Sequence, residues 1–130
     1  MNETLRIWHD MLANKDPSRL EEVIADNCVF VSPVLHTPQE GGELTRMYLT
    51  GAFHILNVGG DFHYVKEVVS GDHAVLEFVT KVDGLDVNGV DILTFDAQGK
   101  ISEFKVMLRP LKAVVAVQQK MAEMLEQLSA

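Results

Sequence analysis

Between Val87 and Pro110 the chain reads VNGVDILTFDAQGKISEFKVMLRP, two β-rich runs on either side of a turn at Asp96 to Gly99. Alternate residues of a strand share a face, so Val87, Gly89, Asp91, Leu93 and Phe95 fall on one side of the first run. The second run puts Phe104, Val106 and Leu108 on one face and Glu103, Lys105, Met107 and Arg109 on the other. A four-residue loop pairs Phe95 with Lys100 and sets Asp91 opposite Phe104. Asp91 is then expected to point into an apolar hollow. An ionised carboxylate loses hydration there, which raises its pKa and makes it a candidate proton donor or acceptor. The structural alternatives are a carboxyl near a strand end, partly solvated, or one that accepts a hydrogen bond from a buried Trp or Tyr.

Helical and two-residue periods alternate along the rest of the chain. Leu5, Trp8 and Leu12, widened by Ile7 and Met11, predict an amphipathic helix over Glu3 to Ala13 with Trp8 inward. Asp16 followed by Pro17 reads as an N-cap and first helical residue of a short helix with the stripe Leu20, Val23, Ile24, stopped by Asp26-Asn27. Cys28 to Ser32 predicts a strand that ends at Pro33. A loop carrying His36 runs to Gly42, and a third helix follows with Leu44, Tyr48, Ala52 and Ile55 on one stripe and its end at Asn57 to Gly60. Phe62 to Ser70 and His73 to Val82 predict strands, and Asp83-Gly84 is a favoured hairpin turn. That turn pairs Val82 with Leu85, Leu76 with Asp91 and Phe78 with Gly89, so Leu76, Phe78 and Thr80 are expected to line the hollow. Pro110 opens a final amphipathic helix with the stripe Leu111, Val114, Val117, Met121, Leu125, Leu128. The element order is that of an α+β fold, with helices on one face of a curved, largely antiparallel sheet.

Length and charge narrow the partners. The 130 residues suit one domain spanning 1–130. A formal net charge of −8 repels phosphate backbones and anionic lipid, so neither nucleic acid nor a membrane surface is the expected partner. The single cysteine, Cys28, has no intrachain partner, the N-terminal segment lacks the apolar stretch of a signal peptide, and a reducing cytoplasm fits both. The histidines, at positions 9, 36, 54, 63 and 73, show no ligand spacing, and no glycine-rich phosphate loop or nucleophile elbow occurs. Neither a metal nor another cofactor is expected.

The Trp-bearing first helix, the FVSP strand end, the G-V-D strand, the D-x-x-G-K-I turn and the RPL start of the last helix together resemble the SnoaL-like branch of the NTF2-like superfamily, the polyketide cyclase and ketosteroid isomerase group. The resemblance covers nearly the whole chain. It implies a cone-shaped domain in which the sheet wraps around N-terminal helices, with a pocket between sheet and helices. Ketosteroid isomerases of the superfamily carry a tyrosine on the first helix, a carboxylate base before the proline of the first strand and a second acid on the strand before the D/N-x-x-G-K turn. The matching positions here look like Trp8, Ser32 and Asp91. A serine hydroxyl with no base beside it does not abstract a proton at neutral pH, and an indole donates one N–H without being an acidic phenol.

The combined expectation is a small lyase- or isomerase-type enzyme that moves a proton on a hydrophobic carbonyl compound. Asp91, helped by His36, is its acid/base. Trp8, Ser32, Tyr48, Leu76, Phe78, Leu93, Phe104, Val106 and Leu108 are its expected ligand contacts. A non-catalytic small-molecule-binding or dimerising module is the other reading. A homodimer through the outer sheet face is expected in both, because Val90 and Ile92 make that face apolar.

Overall fold

The apolar spacing of the first segment becomes helix α1 (Asn2–Asn14) in the computed structural model, which describes residues 2–58 and 61–129. Leu5, Ile7, Trp8 and Met11 are buried and Leu12 is half-buried, while Arg6 pairs with Glu3 and Asp10 on the solvent side. The second helix is shorter than its stripe suggests. Helix α2 (Leu20–Val23) is a single turn, and Ile24, expected on its stripe, is already extended and opens β1 (Ile24–Val31). Pairing of Ile24 with Ile101 in the sheet overrides the local helical pattern. Asp16 does not cap a helix at Pro17; its Oδ1 accepts the backbone N–H of Ser18 at 3.0 Å and closes a local turn.

The loop after Pro33 contains a two-residue strand, β2 (Gln39–Glu40), paired antiparallel with β1. Helix α3 (Gly42–Ala52) then runs into a π-helical segment, Phe53–Val58. Its buried face holds Thr45, Leu49 and Phe53, whereas Leu44, Tyr48 and Ala52 of the expected stripe are half-buried. Backbone contact sets this rotation. The Thr45 hydroxyl is within hydrogen-bonding distance of the carbonyls of Gly41 (2.9 Å) and Cys28 (3.2 Å), and a Cβ on Gly42 would lie 2.5 Å from the Ala25 carbonyl oxygen. The expected helix end at Asn57 to Gly60 lies partly outside the described residues.

Strands β3 (His63–Ser70), β4 (His73–Val82), β5 (Leu85–Phe95) and β6 (Ile101–Arg109) complete a six-stranded sheet of order β2-β1-β6-β5-β4-β3. Only the β1–β6 pair is parallel. Asp83 and Gly84 both have positive φ, 51° and 78°, as a tight two-residue hairpin turn requires, and the pairs Val82–Leu85, Leu76–Asp91 and Phe78–Gly89 follow. The next hairpin departs from its expected register. Phe95 pairs with Ile101, a bulge precedes it, and Asp91 therefore faces Val106 rather than Phe104. The net displacement is two residues, which leaves every side chain on its expected face.

Helix α4 (Leu111–Ser129) packs through Ala113, Ala116 and Val117; Leu111, first in the expected stripe, is 77 % exposed, and the side chain of Leu128 lies outside the described residues. One core cluster joins α1 and α2 to the inner sheet face, and a second joins α4 and the π-helical segment to β4 and β5. The result is an α+β fold of four helices and a curved sheet. Among the described residues no helix is long and apolar enough to cross a membrane. Because Gly42 rests on main chain that cannot step aside, Gly42→Ala is expected to destabilise the domain by about 1–3 kcal/mol in chemical denaturation; an unchanged midpoint would show that α3 is free to lift from β1.

Candidate functional site

Asp91 sits in the middle of β5, is 5 % exposed and points to the inner face. Its neighbours come from distant parts of the chain. Tyr64 reaches it from β3, and Trp8 of α1 holds Tyr64 in turn. An unbroken β3–β4 pairing would turn Tyr64 outward beside Lys66 and Val68. A bulge between Tyr64 and Lys66 resets the register, pairs Tyr64 with Phe78 and brings the phenol inside. The phenol O–H then donates to Asp91 Oδ2 at 2.5 Å, and Trp8 Nε1–H donates to the phenol oxygen at 2.9 Å.

This chain of hydrogen bonds runs in one direction only. An indole N–H can donate but never accept, so the Tyr64 oxygen is the acceptor and its proton faces Asp91. Oδ2 of Asp91 is occupied. Oδ1 has no partner among the described residues, yet it is not a sealed, unsatisfied atom, so it is reached from open space. Burial drives the Asp91 pKa up to about 7, against a smaller lowering by the Tyr64 hydrogen bond. The Tyr64 hydroxyl is held far above its usual value, first by burial and then by the Asp91 charge, and stays protonated.

The open space is a cavity of about 60 Å³ between the sheet, α1, the π-helical segment and α4. Its deep wall carries Trp8, Phe30, Phe53, Phe104 and Asp91; its outer wall carries Ser32, Pro33, Val34, Leu108 and Met121. Asp91 is the one ionisable side chain among the described lining residues. Ser32, a lining residue, accepts the backbone N–H of Val34 on its Oγ at 3.1 Å. Asn57 Nδ2 is committed to the Leu12 carbonyl at 3.2 Å.

Of the residues singled out from the sequence, Asp91, Trp8, Ser32, Phe78, Phe104, Val106 and Leu108 lie on this cavity. Four do not. His36 is exposed on the loop after β1. Tyr48 is half-buried and stacks on Phe30 at 5.3 Å, because α3 is rotated away from the expected stripe. Leu76 and Leu93 are fully buried and pack in the core cluster beneath α1. Thr80, expected to line the hollow, donates instead to the Leu56 carbonyl at 2.8 Å. Tyr64 is the contact that the sequence pattern missed, since period-two alternation alone places it on the other face. Cys28 takes no part; burial pushes its thiol up to about 11, leaving it an unreactive core residue. Among the described residues no group of three His, Cys, Asp or Glu side chains is placed to hold a metal ion.

Two consequences can be measured. Folded Asp91 keeps its proton to about pH 7, while the unfolded chain releases it near 3.8. The folded state therefore binds more protons between those values; stability from this group is whole below pH 4 and is lost as pH rises to 7, by roughly 4 kcal/mol in total. Wild type should lose stability relative to Asp91→Asn across pH 4 to 7 in denaturant titrations, and parallel curves would contradict this. Tyr64→Phe removes the bond that restrains the carboxyl and strands the Trp8 N–H, so the Asp91 pKa should rise further in a ¹³C NMR titration, with a loss of about 1–3 kcal/mol in stability.

Residues 5–104 match the model of the SnoaL-like domain family. No curated protein sequence matches the chain. Among solved structures, a steroid delta-isomerase from Pseudomonas aeruginosa is similar at 32 % identity and a TM-score of 0.93, covering 99 % of this chain and 94 % of that one. A bacterially conserved protein with a cystatin-like fold from Silicibacter pomeroyi DSS-3 is 28 % identical with a TM-score of 0.86, over 95 % of this chain and 85 % of its own. A candidate SnoaL-like polyketide cyclase from Jannaschia sp. CCS1 shares the fold at 16 % identity and a TM-score of 0.71, over 88 % and 89 % of the two chains. With its cavity between a curved sheet and helices and its match over most of the sequence, the chain belongs to the SnoaL-like domain family.

Proposed function

We propose that this protein is a small enzyme that moves a proton on a hydrophobic, carbonyl-bearing compound, with Asp91 as its acid/base. The observation that carries this reading is the unpartnered Oδ1 of a buried carboxyl at the end of an apolar cavity. A carboxylate with a pKa of about 7 is a stronger base than an ordinary aspartate and is still ionised in good part at neutral pH. In its charged form Oδ1 takes a proton from the carbon beside the carbonyl; in its protonated form it returns that proton to the same or a conjugated carbon. The Tyr64 hydroxyl, itself held by the Trp8 N–H, donates to Oδ2 throughout, and the Ser32 hydroxyl is the wall group that can donate to the carbonyl oxygen. Similarity to a steroid delta-isomerase supports chemistry of this class.

Among the described residues the wall offers a single ionisable group, and that observation favours the second reading, a binding pocket without turnover. Solvent deuterium exchange beside the carbonyl of a ketone panel separates the two. Catalysis predicts a kcat/KM that rises with pH through about 7 to a plateau, and a loss of about 10²–10⁴-fold in Asp91→Asn. Binding without exchange, or exchange indifferent to Asp91→Asn, would refute catalysis.

The outer sheet face supports a homodimer. Val75 of β4 and Met107 of β6 are 36 % and 52 % exposed, Val90 and Ile92 of β5 lie half-buried between them, and Val68 of β3 is 52 % exposed. Lys66, Lys105 and Arg109 share this apolar row with Glu77 and Glu103, so a two-fold copy can set acid against base. Sedimentation should give a dimer that Val75→Lys with Met107→Lys converts to monomer; a wild-type monomer at micromolar concentration would exclude it.

A further inference from the structure

The size and wiring of the cavity limit what can reach Asp91. Its volume of about 60 Å³ compares with about 150 Å³ for an engineered apolar cavity that accepts benzene, and at 10–15 Å³ per water-sized site it holds roughly four such sites. Pockets that enclose a whole drug-sized ligand are about 300–1,000 Å³. The deep wall has little room to yield. Trp8 is braced edge-on by Phe53 at 5.5 Å and against Phe104 at 5.2 Å, and Phe62 is stacked on Phe78 at 4.8 Å. Behind these rings, Gly89 leaves no spare space, since a Cβ there would lie 2.3 Å from the Phe78 ring and 2.7 Å from Leu108. The outer wall is softer, with half-buried Val34, Leu108 and flexible Met121.

Polarity restricts the ligand further. No cationic side chain lies among the described lining residues, so a ligand carboxylate or phosphate meets only the like charge of Asp91. Nearly all of the wall is apolar; its polar side chains are those of Asp91, Ser32 and Asn57, which suits one small polar function on an apolar body.

We propose that the cavity takes a slender, uncharged carbonyl compound, a linear chain or a single ring, which enters carbonyl end first, leaves its remainder at the mouth beside Val34 and Met121, and excludes fused polycyclic ligands from Asp91. The proposal rests on the reading of Asp91 as acid/base given above and narrows its substrate class away from four-ring steroids.

Trp8 is the one tryptophan of the sequence and lies on the deep wall, so its fluorescence reports occupancy directly. The protein is titrated with 2-heptanone, 2-cyclohexen-1-one, androst-4-ene-3,17-dione and cyclohexanecarboxylate, and the Asp91 carboxyl is followed by ¹³C NMR. The expected result is a saturable Trp8 response and a moved Asp91 signal with the two slender ketones, and affinities at least tenfold weaker for the steroid and the carboxylate. A steroid or carboxylate affinity less than tenfold below that of cyclohexenone overturns the proposal, as does a lack of response to either slender ketone. Tight steroid binding with Asp91-dependent exchange sinks the size limit alone. Slender ketones that bind while exchange ignores Asp91→Asn uphold the size limit and sink the catalytic reading.

Discussion

A carboxyl group with 5 % of its surface exposed and no cation beside it must be compensated by neighbours that cannot drift away. At Asp91 the compensation is a single strong hydrogen bond from Tyr64, itself fixed by the Trp8 N–H. Three separated segments have to meet for that to happen: α1 laid across the inner face, β3 bulged so that Tyr64 turns inward, and β5 in register with both neighbours. One hydrogen bond does not replace the lost hydration, so the acid is left with a raised pKa and opposes folding when ionised. The aromatic core around Trp8, Phe30, Phe53 and Phe104 supplies the burial that tolerates this. A site that weakens its own fold at neutral pH is the pattern expected where stability is exchanged for reactivity.

Much of this was legible along the chain. The inward direction of Asp91 followed from alternation, and its partner Leu76 followed from the Asp83-Gly84 turn, because both rest on local geometry. Tyr64 was not legible, since a bulge at Val65 adds one residue and reverses the face of everything before it. The same kind of shift moved Asp91 from Phe104 to Val106, but there the displacement was even and did no harm to the face assignment. The α3 stripe failed for another reason: Thr45, polar and unremarkable in a hydrophobicity pattern, is the residue that locks the helix to Cys28 and Gly41. His36 looked useful because histidine titrates near neutrality, yet its loop leads it to the surface.

Likeness of fold and likeness of chemistry separate at Ser32. The resemblance to ketosteroid isomerases implies a carboxylate base where this chain has Ser32, and here the serine oxygen caps the turn to Val34 instead. The scaffold that presents Asp91 is shared with a steroid delta-isomerase, while the one ionisable group on the described cavity wall is a carboxyl bonded to Tyr64, which Trp8 holds in turn. Function in such a domain is decided by which inward positions are polar, and here the described cavity wall offers few.

The most direct measurement is the ionisation of Asp91 itself, followed through its carboxyl carbon in a ¹³C NMR titration of the wild-type protein. Burial against Tyr64 predicts a midpoint near 7. A midpoint close to the ordinary 3.8 would mean that water reaches both oxygens, and the enclosed acid on which the site is built would not exist.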